Sequence, residues 1–163
     1  YAWFDAERYL VSRPNPASQH FAELSGVNVE HHPQPELSGV IATGVDIIST
    51  HADSTRIYAD ITKRYGDRAT VLDFPSVTAI HAPQASKGKA LQQLAAKLGT
   101  EQTDVLAIGD SVNDVSMLEW AGHGATPEHC DHYARAAADQ ILSGKNVDGV
   151  VKLLQIVLAD TLS

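Results

Sequence analysis

Cysteine occurs once in this chain, at Cys130, which excludes a disulfide framework and a thiolate metal cluster. Basic residues are also scarce: 12 lysines and arginines stand against 20 acidic residues, a formal net charge of -8. That sign argues against a nucleic-acid binder, which needs a basic face for the phosphate backbone. A small anion is still allowed, because one lysine and a metal make a local positive site in an acidic protein. No apolar run approaches the roughly 20 residues of a membrane helix, so no membrane association is expected. The start of the chain shows neither a basic region nor a signal-like apolar stretch, and a reducing, cytoplasmic setting is the expectation. Methionine occurs only at Met117 and the first residue is Tyr1, which predicts a processed or cut chain with something upstream of it.

What is present is ordinary globular material. Hydrophobic residues make up 44% and charged residues 20%, and 163 residues suffice for a substantial core in one or two domains. Residues 1–37 show little periodicity. A short helix is predicted over 17–24, between loops punctuated by Pro14, Pro16, Pro33 and Pro35. From Val45 the pattern clears: a β-branched strand over 45–49, then a helix over 54–65 with Ile57, Ile61 and Tyr65 on one face. Strands over 69–73 and 77–81 follow, joined by Phe74-Pro75-Ser76.

After Pro83 the composition shifts, and the chain is divided there into residues 1–82 and 83–163. An amphipathic helix is predicted over 87–98, with Ala90, Leu91, Leu94, Ala95 and Leu98 inward. Residues 105–108 form an apolar run with the look of a strand buried on both faces. Helices are predicted over 115–121, 128–138 and 149–158, with a very short strand over 124–126. Strands separated by helices imply parallel pairing with right-handed crossovers, hence an α/β fold.

Two segments carry chemistry. Gly109-Asp110-Ser111-Val112-Asn113-Asp114 follows the buried strand and opens a helix. In a parallel sheet the carboxyl ends of strands face the ligand crevice. Asp114 lies one turn beyond Asp110, so both carboxylates can approach one point, and such hard oxygens suit Mg²⁺. Asn113 adds a neutral group for a phosphate oxygen. The same two aspartates would equally cap and charge the helix start. Lys87 stands at the opening turn of its helix, where the dipole disfavours a cation unless negative charge lies close. A solvated surface lysine is the alternative. His31, His32, His129 and His132 raise a further idea, histidine-based metal binding, although their spacing matches no ligand pattern.

Together, Ser86-Lys87-Gly88 with Ala90-Leu91, Ile108-Gly109-Asp110 with Asn113-Asp114 and Met117-Leu118, Ala121-Gly122, Gly124, Ala137-Ala138-Asp139 and Asp148-Gly149-Val150 resemble the Cof-type branch of the haloacid dehalogenase superfamily. The resemblance runs from about Val45 to Leu158. It implies the C-terminal part of a Rossmann-like core over 83–163 and most of an α/β cap over 1–82. It implies that Lys87 holds the nucleophile and the phosphoryl group, that Asp110 and Asp114 serve Mg²⁺, and that Asn113 and Ser111 contact a small phosphorylated substrate. The family's first motif, Asp-x-Asp-Gly followed by Thr or Ser, is absent from the sequence, and the second-motif Ser or Thr cannot be located. Both are expected upstream of Tyr1. Where relatives carry a Gly-Asn-Ala loop, this chain has Glu128 and His129 at the Gly and Asn positions. The resemblance implies phosphoryl transfer to an upstream aspartate and hydrolysis of the aspartyl-phosphate, with this piece alone inactive. The alternative is a non-catalytic metal- or phosphate-binding module. The strand over 105–108, lacking its neighbour, is expected either to bind the missing N-terminal half or to self-associate.

Overall fold

The computed structural model describes residues 1–145 and 147–161, and the chain divides between Gln84 and Ala85 into two compact units. Among the described residues no helix is long and apolar enough to cross a membrane.

The first unit is built on a six-stranded sheet. Its elements are β1 (Ala2–Phe4), β2 (Tyr9–Val11), α1 (Pro16–Ser25), β3 (Val29–His31), β4 (Gly44–Ile48), α2 (His51–Tyr65), β5 (Thr70–Phe74) and β6 (Val77–His81). The strand order is β3-β2-β1-β4-β6-β5, antiparallel throughout except for the β2–β3 pair, which α1 connects. The first three strands have three residues each, too few for alternation to register, which is why residues 1–37 resist reading from sequence. Helix α2 begins a turn earlier than its apolar pattern suggests, because Thr50 caps it by accepting the Asp53 N–H at 3.3 Å. Tyr65, expected on one face with Ile57 and Ile61, is exposed, and its ring lies under the Arg68 guanidinium. The β5–β6 hairpin turns through Pro75-Ser76, with Ser76 at φ 64°.

Ala2, Tyr9 and Val11 form the buried core of this unit, with Phe4, Val29 and Ile48 packed around them. A carboxylate is buried there too: Asp46, 8% exposed, accepts the Tyr9 hydroxyl at 3.0 Å. Burial pushes the Asp46 carboxyl above the ordinary range, against the smaller opposing pulls of the Tyr9 hydrogen bond and His81.

The second unit contains α3 (Lys87–Leu98), β7 (Leu106–Ile108), α4 (Val115–Trp120), β8 (His123–Pro127), α5 (His132–Ala137), β9 (Gln140–Leu142) and α6 (Asp148–Thr161). Its three strands are parallel in the order β7-β8-β9, each pair joined by a helical crossover. The core is small-residue packing: Ala107, Leu118, Ala121 and Ala134, flanked by Leu91, Val105 and Met117.

Several expectations are corrected here. The helix predicted over 128–138 starts only at His132, because Asp131 is extended and caps it, leaving 128–131 outside the helix. Strand β9 is not visible in the sequence pattern at all. Of the apolar run 105–108, only Ala107 is buried, since β7 is the edge of this sheet among the described residues. Helix α3 has the predicted bounds but not the predicted face. Gly88 and Ala95 are buried and Leu91 packs on the core, while Ala90 is exposed and Leu94 and Leu98 are 52% and 70% exposed. The reason is the helix it meets, α4, which approaches through Gly88.

The Asp46 environment generates a prediction. An acid whose native pKa is raised stabilises the fold fully below its unfolded pKa of about 4. That contribution is lost as pH rises through the raised native value. Asp46→Asn retains an acceptor for Tyr9 and removes the titration. Thermal melts from pH 4 upward should therefore show the variant gaining on the wild type as pH rises; a constant difference would contradict the assignment.

Candidate active site

The second unit gathers its chemistry at the carboxyl ends of β7 and β8. Ile108 pairs with Ala125 and the Gly109 N–H donates to the Ala125 carbonyl at 3.2 Å, so the two strand ends are aligned. Immediately beyond β7 the chain turns through residues 109–111 into a single 3-10 turn, Val112–Asp114, and then α4.

Asp114 folds back over this turn. One carboxylate oxygen, Oδ2, accepts the N–H groups of Asp110 at 3.0 Å and Ser111 at 3.2 Å. The other, Oδ1, is in contact with Lys87 Nζ. Asp114 is 3% exposed, whereas the Lys87 side chain is 49% exposed and keeps ammonium hydrogens for a ligand. The fold-back needs glycine at 109, because a Cβ there would lie 2.3 Å from Asp114 Cβ.

Lys87 reaches Asp114 because α3 and α4 approach to backbone contact. A Cβ on Gly88 would lie 2.1 Å from the Ser116 carbonyl oxygen, and the Gly88 N–H donates to Ser116 Oγ at 2.9 Å. Ser86 caps α3 through the Lys89 N–H at 3.2 Å, which fixes Lys87 as its first residue. The unfavourable position of a cation at a helix start is thus offset by a buried carboxylate.

A third carboxylate completes the turn. Asp131 Oδ2 accepts the Val112 N–H at 2.7 Å, and its Oδ1 accepts the Ala134 N–H at 2.8 Å. Its own N–H donates to the Asp110 carbonyl at 2.9 Å. The consecutive N–H groups of Asp110, Ser111 and Val112 are therefore all held by protein carboxylates. The turn is not a nest for a phosphate, because the donors such a nest would use are taken.

Ser111 Oγ donates to Asn113 Oδ1 at 2.7 Å, which leaves the Asn113 amide NH₂ for another acceptor. The Asp110 side chain is exposed, and among the described residues no hydrogen bond or ion pair engages its carboxylate. Lys87, Asp110, Ser111, Asn113 and Asp114 are thus all brought to one sheet end, but not with equal freedom. The expectation that both aspartates converge on one metal meets an obstacle in the three bonds that Asp114 already accepts.

One unengaged carboxylate, with a second fixing its loop, fits part of a Mg²⁺ site, since that ion takes one or two carboxylates and fills out its shell with waters and phosphate oxygens. Among the described residues no group of three or more His, Cys, Asp and Glu side chains could hold a metal. Among the described residues the histidine idea has no support, since none of these side chains joins such a group.

Two residues that shape the site, Ser116 and Asp131, are not marked by the motifs in the sequence. Asp131 carries a signal, an N-cap residue just before an alanine-rich run, but the run's composition extends the expected helix back to 128.

Comparison with known proteins follows this geometry. The family model for haloacid dehalogenase-like hydrolases matches residues 1–154, and the chain belongs to that family. A phosphoglycolate phosphatase of Methanopyrus kandleri is 32% identical over 96 residues, covering 59% of this chain and 41% of that protein. A haloacid dehalogenase-like hydrolase from Bacteroides thetaiotaomicron superposes with a TM-score of 0.77 at 20% identity, over 96% of this chain and 60% of that one. A sugar phosphatase of haloacid dehalogenase subclass IIB superposes at 0.78 with 19% identity, over 96% and 59%. The mixed α/β architecture is therefore the family's own, and the chain spans less than two thirds of each of these relatives.

The Gly88 contact sets a test. Gly88→Ala forces α3 off α4, with an overpacking penalty of about 1–3 kcal/mol. Denaturant unfolding should show this loss, and Lys89→Ala, on an exposed position of the same turn, should show almost none. Equal stabilities of the two variants would mean the close approach is not the constraint described.

Proposed function

We propose that this chain is part of a Mg²⁺-dependent phosphatase of the Cof-type branch, acting on small phosphomonoesters of the sugar-phosphate kind. Residues 1–82 are read as a portion of the substrate-selecting cap and residues 83–163 as the C-terminal half of the catalytic core. The observation that carries this reading is the Lys87–Asp114 ion pair beside the unengaged Asp110 carboxylate, at the carboxyl end of a parallel sheet. The phosphatase names of the matched relatives agree with it.

In this reading Asp110 is the residue that holds Mg²⁺ directly. When bound, Mg²⁺ neutralises charge on the phosphoryl oxygens and aligns them for in-line displacement. Asp114 acts one step back, fixing the loop and pinning Lys87 in place. The Lys87 ammonium and the Asn113 amide NH₂ bind phosphoryl oxygens, with Ser111 locking the Asn113 carboxamide in the required orientation. The nucleophile is a carboxylate supplied from upstream of Tyr1. Its oxygen bonds to phosphorus as the ester P–O bond breaks, and the leaving alkoxide takes a proton from an acid on the same upstream segment, which regains one from the attacking water in the second step. Water then attacks phosphorus, releasing inorganic phosphate and restoring the carboxylate. The upstream part also supplies a neighbour for edge strand β7 and cover for Leu94 and Leu98 of α3.

Two measurements test this. The 163-residue chain alone should not hydrolyse a generic phosphomonoester. The protein carrying its upstream segment should, and Lys87→Ala or Asp110→Asn should then lower kcat by about 10²–10³. Hydrolysis by the chain alone that Lys87→Ala abolishes would refute the divided site; an upstream sequence without Asp-x-Asp-Gly would instead favour a non-catalytic binding module. In light scattering, the chain alone should associate through its open edge, and a monodisperse monomer would count against the missing neighbour.

A further inference from the structure

The residue that ties the loop together from outside is Asp131, and nothing in the proposed chemistry uses it. It belongs neither to the Gly109–Asp114 segment nor to the helix bearing Lys87. It lies between β8 and α5, just after the turn that presents Glu128 and His129. Yet it makes four bonds to its surroundings, two to the loop and two to α5 through the Ala134 and Arg135 N–H groups. Its main chain donates to the Asp110 carbonyl and its side chain accepts the Val112 N–H, so it holds the loop on both sides of Ser111. The remaining oxygen caps α5 at Ala134, which is fully buried. The helix that anchors Asp131 is thus itself anchored in the core.

We infer that Asp131 is a positioning residue: it sets the backbone of Asp110–Val112, and through it the direction in which the Asp110 carboxylate is presented. The division of labour between the carboxylates supports this. Asp114 secures the loop from within, through Asp110 N–H and Ser111 N–H. Without the Asp131 carboxylate, Val112 N–H loses its acceptor, and the bond from Asp131 N–H to the Asp110 carbonyl is left to join this residue to the loop. The turn over 128–130 is itself fixed, by Cys130 N–H to the Pro127 carbonyl at 3.2 Å and by the Arg135 guanidinium to the Glu128 carbonyl at 2.7 Å. Asp131 therefore joins two preformed turns into one body. The metal arm of the argument rests on the reading proposed above; the loop arm does not.

A conservative variant separates positioning from mere stability. Asp131→Asn retains one oxygen to cap α5 but places an NH₂ group opposite Val112 N–H, where it cannot accept. Asp139→Asn is the control. Its carboxylate also accepts a main-chain N–H, that of Gly124 at 2.8 Å, at the opposite end of β8. Amide hydrogen exchange and Mn²⁺-induced NMR broadening are measured on both variants and on the wild-type chain. Asp131→Asn should speed exchange at Val112 at least tenfold, leave Ala134 within about twofold, and move the Mn²⁺ midpoint at Asp110 at least fivefold upward. Asp139→Asn should change neither Val112 nor the midpoint. Val112 exchange within twofold of wild type in Asp131→Asn overturns the inference, as does equal loosening of Val112 in Asp139→Asn. If the wild type shows no Mn²⁺ broadening near Asp110 while Val112 still responds to Asp131→Asn, the positioning role stands and the metal reading falls.

Discussion

Everything at this site depends on two helices touching backbone to backbone. Gly88 of α3 sits where any side chain would strike the Ser116 carbonyl of α4, and that contact places the first residue of α3 over the last residue of the 3-10 turn. A lysine ammonium and a carboxylate meet there because the main chains are already fixed, not because the charges find each other across solvent. Exposed ion pairs contribute little, whereas a carboxylate 3% exposed with one cationic partner is costly to leave alone. The geometry and the electrostatics thus reinforce one another: close packing delivers the lysine, and the lysine makes the buried Asp114 tolerable.

The second constraint is how the loop spends its donors. A strand end followed by a helical turn offers free N–H groups, and many proteins use them to bind an anion. Here Asp114 and Asp131 take the N–H groups of residues 110–112. What the loop offers outward is a carboxylate, Asp110, and an amide, Asn113. A site that shows oxygen to its ligand suits a cation between itself and a phosphate, and these hydrogen bonds are the physical support for the proposed metal-assisted reading.

Much of this was legible in the residues. The bounds of α3 could be read from Ser86 to Leu98, since capping, periodicity and the following glycine all agree. The Gly109–Asp114 segment stood out because an apolar strand ran directly into it. What stayed hidden was hidden for physical reasons. Strands of three residues, β1 to β3 and β9, carry no measurable alternation. The exposure of Leu94 and Leu98 cannot be foreseen from periodicity, because periodicity shows that a face is apolar and not what covers it. Asp114 looked like a metal ligand because spacing gives proximity, while its engagement by two N–H groups is a matter of χ angles and of a glycine at 109. Asp131 was masked by the alanine-rich run beyond it.

In the proposed function the loop presents Asp110 to a metal while Asp114 stays folded inward on Lys87. The most direct measurement is a crystal structure of the protein, with its upstream segment, bound to Mg²⁺ and orthovanadate. Mg²⁺ is expected on an Asp110 oxygen, vanadate within hydrogen-bonding distance of Lys87 Nζ and the Asn113 NH₂, and Asp114 still accepting the Asp110 and Ser111 N–H groups. A metal bound elsewhere, or an Asp114 carboxylate swung out of the loop with Lys87 released, would contradict it.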